Sequence, residues 1–161
     1  MKKFISFSGG VESTTMCVLF GDKADAVFAD TGFEHKQIYD RIGLVEEWVQ
    51  NFHRKDFKIH LVKSGLGTLP DRIKEMGYYP GFKRRYCTYQ FKIQPIDNFL
   101  KQFEKGGAEV LIGLNADEIG MRTGSHGLLP FVQYSYPLAD NGLSRKACIE
   151  ILDRVGLKPQ F

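Results

Sequence analysis

The opening of the chain constrains its fold most. Lys3 to Ser8 reads as a short strand, Gly9-Gly10 interrupts it, and Val11 to Phe20 carries apolar residues at helical spacing until Gly21. Strand, glycine turn and helix then recur. Ala24 to Ala29 is a second apolar run ending at Asp30-Thr31-Gly32, and Ile38, Ile42, Val45, Trp48, Val49 and Phe52 mark a long amphipathic helix. Its polar face is expected to hold Lys36, Asp40, Arg41, Glu46 and Glu47.

Phe57 to Val62 is a third strand candidate, followed by a turn at Ser64 to Gly67 and a short helix opening near Pro70. Gly77 to Phe91 reads as loop, and Ile93 to Phe103 as a helix with Pro95 near its start. Ala108 to Leu114 is the most uniformly apolar strand candidate, which predicts a central place in the sheet. A long glycine-bearing connection covers Asn115 to Ser135, and Ser144 to Val155 is a helix between a serine cap and a Gly156 stop. The alternation predicts one α/β domain over residues 1–161, three-layered and Rossmann-like with a mainly parallel sheet. Ligands of such sheets lie at the carboxyl ends of the strands.

Composition excludes several classes. In 161 residues, 22 Lys plus Arg against 19 Asp plus Glu leave a net charge of +3, too small to argue for a nucleic-acid coat or a membrane surface. No apolar run approaches the roughly 18 to 20 residues that span a bilayer, and no signal peptide is read at the start, so a cytoplasmic protein is expected. Cys17, Cys87 and Cys148 form an odd, widely spaced set, which suits neither a disulfide framework nor a zinc site. His35, His53, His60 and His126 lack the spacing of a helical metal pair.

Three loops are expected to meet at the carboxyl edge: Ser8-Gly9-Gly10-Val11-Glu12-Ser13, Asp30-Thr31-Gly32 and Asn115-Ala116-Asp117-Glu118. Glycines at 9 and 10 let backbone amides turn toward a ligand, the following helix offers its positive end, and Ser8 and Ser13 add hydroxyl donors. That chemistry suits phosphate; a tight strand-to-helix turn is the plainer alternative. Neither a Walker loop nor a dinucleotide fingerprint is present.

The string Ser8 to Ser13 resembles the SGGxxS pyrophosphate-binding loop of the adenine-nucleotide α-hydrolase superfamily. Asp30-Thr31-Gly32 with Glu34 is similar to the DTG segment of its phosphoadenosine phosphosulfate (PAPS) reductase branch, and Cys87 to Pro95 to that branch's C-x4-K-x2-P element. Ile112 to Glu118 with Arg122 resembles the family's glycine-strand segment with its acidic pair and arginine, and Tyr136-Pro137-Leu138 also fits. The resemblance spans about Phe4 to Gly156.

It implies a single nucleotide-binding domain that takes PAPS, adenosine phosphosulfate or ATP, with Mg²⁺ if the nucleotide is ATP. Ser8, Gly9, Gly10, Val11, Glu12 and Ser13 would hold the phosphates or sulfate, Asp30, Thr31, Gly32 and Gly113 would border the adenosine, and Lys92 and Arg122 would neutralise anionic oxygens. The implied enzyme is a sulfonucleotide reductase-like oxidoreductase served by a thiol reductant or sulfur acceptor, or an ATP pyrophosphatase. Cys87 is followed by Thr88 and no later cysteine pair exists, so no iron–sulfur cluster is expected. A C-terminal cysteine tail is expected to be missing, and Glu12 stands where an aspartate is commoner.

Lys83, Arg84, Arg85 and Lys92 form a basic segment interleaved with Tyr86, Tyr89 and Phe91. Three uses stay open: a nucleotide's extra phosphate, with Arg85 a contact; single-stranded nucleic acid; or a solvated loop. Cys87 lies among these cations, which favour its thiolate. Magnesium would draw on Glu12, Asp30, Asp117 or Glu118, none assigned as a ligand. A non-catalytic nucleotide or nucleic-acid binding module is the remaining alternative.

Overall fold

The structure, a computed structural model, describes residues 1–77, 89–118 and 127–159. β1 (Lys2–Phe7) pairs on one side with β2 (Asp25–Asp30), which pairs with β3 (Ile59–Lys63). On its other side β1 pairs with β4 (Ala108–Leu111), which pairs with β5 (Val132–Ser135). Every pairing is parallel and the order is β3-β2-β1-β4-β5.

The helices are α1 (Val11–Phe20), α2 (Lys36–Phe52), α3 (Leu69–Met76), α4 (Gln94–Leu100), α5 (Pro137–Asp140) and α6 (Arg145–Val155). Alternation along the strands sorts the core into two layers. Ile5, Phe7, Ala26 and Phe28 pack against Met16 and Cys17 of α1, Val45 and Val49 of α2, and Cys148 and Leu152 of α6. Phe4, Val27, Val110 and Val132 face the other way, toward Leu100 of α4. Helices therefore cover both faces, giving the three-layer α/β sandwich with a parallel sheet.

After β1 the chain moves outward through β2 and β3 with α1 and α2 on one face. It then returns to β4 through α4 on the opposite face, as right-handed crossovers require. β1 and β4 are neighbours whose following segments diverge, so their carboxyl ends bound the topological switch point. α1, which leaves that point, is enclosed: Val11 and Ser13 to Val18 are all buried, and α2 and α6 both touch it.

Four expectations need correction. Val132–Ser135, read as part of a connection, is the edge strand β5; only Val132 of it is buried, so its strand character comes from pairing with β4. Tyr89 to Phe91, read as loop, belongs to a π-helical turn, Tyr89–Ile93, that leads into α4, anchored by fully buried Phe91. Arg41, assigned to the polar face of α2, is buried in its inward stripe with Ile38, Ile42, Val45 and Val49. β4 lies inside the sheet, between β1 and β5, and ends at Leu111 rather than Leu114. Among the described residues no helix is long and apolar enough to cross a membrane.

Candidate functional site

The loop after β1 turns on Gly9, whose φ of +82° belongs to the left-handed region. A Cβ there would also come within 2.9 Å of Ile38 Cδ1, so both conformation and space call for glycine. Gly10 is extended and caps α1 without a side-chain bond, while its carbonyl accepts the Thr14 N–H at 3.1 Å. The amides of Val11, Glu12 and Ser13 in the first turn have no intrahelical acceptor, and the helix dipole makes this end positive. The Ser8 N–H donates to Ser13 Oγ at 3.1 Å, the two serine hydroxyls lie 3.2 Å apart, and the Gly10 N–H points to Ser8 Oγ at 3.4 Å.

The segment after β2 is held by its own side chains. Asp30 Oδ1 accepts the Gly32 N–H at 2.9 Å and the Tyr39 hydroxyl at 2.7 Å. Burial, together with the Asp30 carboxylate, pushes the Tyr39 phenol up to about 12. Thr31 Oγ1 accepts the Phe33 N–H and donates to Glu34 Oε1, both at 3.1 Å, and the Thr31 carbonyl accepts the Leu69 N–H at 2.7 Å. Gly32, at φ +74°, leaves room for Thr68.

The segment after β4 presses against the first turn of α1. A Cβ on Gly113 would lie 3.2 Å from Glu12 Cβ and 3.4 Å from the Ser13 amide nitrogen. Buried Asn115 accepts the N–H groups of Asp117 and Glu118 at 2.9 and 3.1 Å, and its Nδ2 donates to Glu12 Oε1 at 2.9 Å. Arg145, first residue of α6, donates to the same Glu12 oxygen at 2.8 Å, and its N–H donates to Asp117 Oδ2 at 3.1 Å.

These commitments bear on the magnesium expectation. Glu12 is engaged by Asn115 and Arg145, and Asp30 by Gly32 and Tyr39. No group of three or more His, Cys, Asp or Glu side chains among the described residues is placed to hold a metal ion. The Glu12 and Asp30 carboxylates are thus already committed to donors of the protein itself.

Beside the loop, on the α4 face of the sheet, lies a cavity of about 140 Å³ lined by residues at the carboxyl ends of β1, β2, β4 and β5. Ser6, Phe7, Phe28, Ala29, Val110, Ile112 and Tyr134 meet Ile93 and Ile96 across it, giving largely apolar walls. Ser8, Glu34, Lys92 and Asp97 bring polar groups to its lining. Burial, with the Asp97 charge, raises the Tyr134 phenol above its ordinary value. A slot of apolar walls with a few polar groups, opening on a glycine turn, is the usual construction of a small-ligand site.

The chain matches the crystal structure of phosphoadenylyl-sulfate (PAPS) reductase from Candida auris in a phosphate complex, with a TM-score of 0.69 over 97% of this chain and 73% of that one. Sequence identity is 14%. The likeness establishes the fold. No known family profile matches the sequence, and no curated protein does.

Of the residues singled out from the sequence, Ser8 and Lys92 line the cavity together, although 84 positions of sequence separate them. Gly9, Gly10, Val11, Glu12, Ser13 and Gly113 build the loop at its rim, and Asp30, Thr31 and Gly32 shape the neighbouring segment without lining it. Arg85, Cys87 and Arg122 lie outside the described residues. Cys17 and Cys148 are buried, and burial raises both thiols above their ordinary value, so neither is a ready thiolate.

Sequence reasoning missed two residues here. Tyr39 was not singled out, and its bond to Asp30 depends on a turn that brings α2 back over the end of β2. Arg41 was placed on the solvent side because of its charge, yet its spacing from Ile38 and Val45 puts it on the apolar stripe. That spacing was the available signal.

Proposed function

We propose that the chain binds an adenine nucleotide, with the phosphate or sulfate oxygens at Ser8 to Ser13 and the nucleoside in the adjoining cavity, and that it acts in sulfonucleotide or sulfur-transfer chemistry. The observation that carries this reading is the shared cavity of Ser8 and Lys92 at the switch point between β1 and β4. The order of the SGGxxS, DTG, C-x4-K-x2-P and glycine-strand segments supports it, as does a fold shared with a PAPS reductase that holds phosphate.

In this reading the first-turn amides, with the Ser8 and Ser13 hydroxyls, present preorganised donors to a polyanion. Lys92 adds a point charge from the opposite wall, and Arg122 and Arg85 add forked donors from the segments that follow β4 and α3 in sequence. Together they stabilise the negative charge that grows on a departing phosphate oxygen. Cys87, set among cations in sequence, is the nucleophile candidate: its thiolate attacks the phosphosulfate sulfur, the sulfur–oxygen bond to the phosphate breaks with its electron pair going to the departing nucleotide, and an external thiol then attacks the cysteine sulfur, releasing sulfite and forming a mixed disulfide. The engagement of Glu12 by Arg145 favours a metal-free phosphosulfate over magnesium ATP at this corner.

Calorimetry with adenosine phosphosulfate, PAPS and ATP, each with and without Mg²⁺, tests the reading. At least one phosphosulfate is expected to bind without metal, and Ser13→Ala to weaken it by about tenfold. Binding of ATP only with Mg²⁺, with pyrophosphate release, selects the ATP pyrophosphatase instead. No binding by any of the three overturns the proposal.

A further inference from the structure

Arg41 projects from the inward stripe of α2 toward the back of the loop and is 7% exposed. Its Nε donates to the Gly9 carbonyl at 3.1 Å, and its Nη2 donates to Thr14 Oγ1 at 3.2 Å and to the Leu157 carbonyl at 2.8 Å. All three acceptors are neutral, and among the described residues no carboxylate forms an ion pair with this guanidinium. Burial lowers its pKa, but an arginine starts high enough to remain a cation. A buried cation without a counter-charge is costly to keep.

Its contact with Gly9 has a geometric consequence. Cis peptide bonds are absent among the described residues, so the planar Gly9–Gly10 unit has its C=O and N–H on opposite sides. Arg41 takes the carbonyl on the core side, which leaves the Gly10 N–H on the side of the hydroxyl of Ser8, a residue that lines the cavity. The same guanidinium ties this peptide to α1 through Thr14 and to the segment after α6 through Leu157.

We propose that Arg41 is the positioning residue of the anion loop: it fixes the Gly9–Gly10 peptide with its N–H toward the ligand, and its charge is balanced by the phosphate or sulfate that the loop receives. This rests on the reading of residues 8 to 13 as an anion site. The counter-ion of the buried cation is then the ligand, so anion binding and the stability of the core around Arg41 are linked.

The test titrates inorganic pyrophosphate into the wild-type chain and into Arg41→Met, which keeps length and removes charge, and follows the melting temperature of each with and without pyrophosphate. The expected result is an affinity about tenfold or more lower in R41M, with a smaller pyrophosphate-induced rise in melting temperature. A purely structural role lowers the melting temperature but leaves the affinity alone; R41M that folds and binds pyrophosphate as the wild type does overturns the inference. If R41M does not fold, the ¹⁵N signal of Arg41 Nε in the wild type decides. It is expected to shift on saturation with pyrophosphate, and a signal that stays in place overturns the inference. A wild-type chain that binds no pyrophosphate overturns the anion loop itself, and the role of Arg41 with it.

Discussion

Two arginines at opposite ends of the sheet are handled in opposite ways. At the amino end, Arg54 forms ion pairs with Asp25 and Asp56 and donates to the Gly21 carbonyl, and Asp25 also accepts from His60 at 2.9 Å. At the carboxyl end, Arg41 meets only carbonyls and a hydroxyl among the described residues. The first corner is electrically closed and its interactions serve the fold. The second keeps a positive charge in reserve behind a loop whose amides already lack helical partners, which is where an incoming anion gains most.

The sharpest way to break this contrast is at Gly9. Gly9→Ala forces a side chain into a φ of +82° and against Ile38, a strain of about 1–3 kcal/mol. Both the melting temperature and nucleotide affinity are expected to fall, the affinity by roughly ten- to hundredfold. A variant that loses stability but binds normally would separate the loop from the ligand.

Asp25→Asn tests the other corner. Removing the carboxylate that Arg54 and His60 share is expected to cost about 1–2 kcal/mol in denaturant unfolding while leaving nucleotide affinity unchanged. The same residue makes an acid limb. Burial pushes the Asp25 carboxyl up, but hydrogen bonds from His60 and Arg54 and the Arg54 charge outweigh it, so the folded pKa lies below the unfolded one. Its contribution is therefore present above about pH 4 and lost as pH falls through the folded value. Unfolding followed against pH in wild type and D25N is expected to show a shallower acid limb in the variant.

Lys92→Ala gives a smaller effect confined to binding. Lys92 is exposed, so stability is expected to change by no more than about 0.5 kcal/mol. Affinity falls by about three- to tenfold at low salt, and the gap narrows as salt rises. Smallest of all is the response to chelation: with Glu12 held by Arg145, EDTA is expected to leave phosphosulfate affinity within about twofold, checked by calorimetry.

β1, α1, β2 and α2 were the most legible, because β1, α1 and β2 each run into a glycine-bearing turn and α2 carries a clear amphipathic period. The helix Val11 to Phe20 is found with the bounds read from its apolar spacing. β5 was not legible, since a strand with one buried residue takes its identity from a neighbour rather than from its pattern. The π turn escaped for a related reason: in Tyr89 to Ile93 it is the burial of Phe91, not a helical period, that holds the turn. At the site, the glycine turn was visible in Ser8 to Ser13, and Lys92, singled out by its motif, is found in the lining of the cavity beside it. Arg41 was hidden by the ordinary rule that charges face solvent, which here gives way to three hydrogen bonds to buried acceptors.

The most direct measurement of the account is a map of backbone amide shifts as adenosine phosphosulfate is added to the ¹⁵N-labelled chain. The account predicts saturable shifts at Gly9, Gly10, Ser13 and Lys92, with Asp25, Lys58 and His60 at the opposite edge unmoved. Shifts centred on the Asp25 corner, or no shift at residues 8 to 13 under saturating nucleotide, would contradict it.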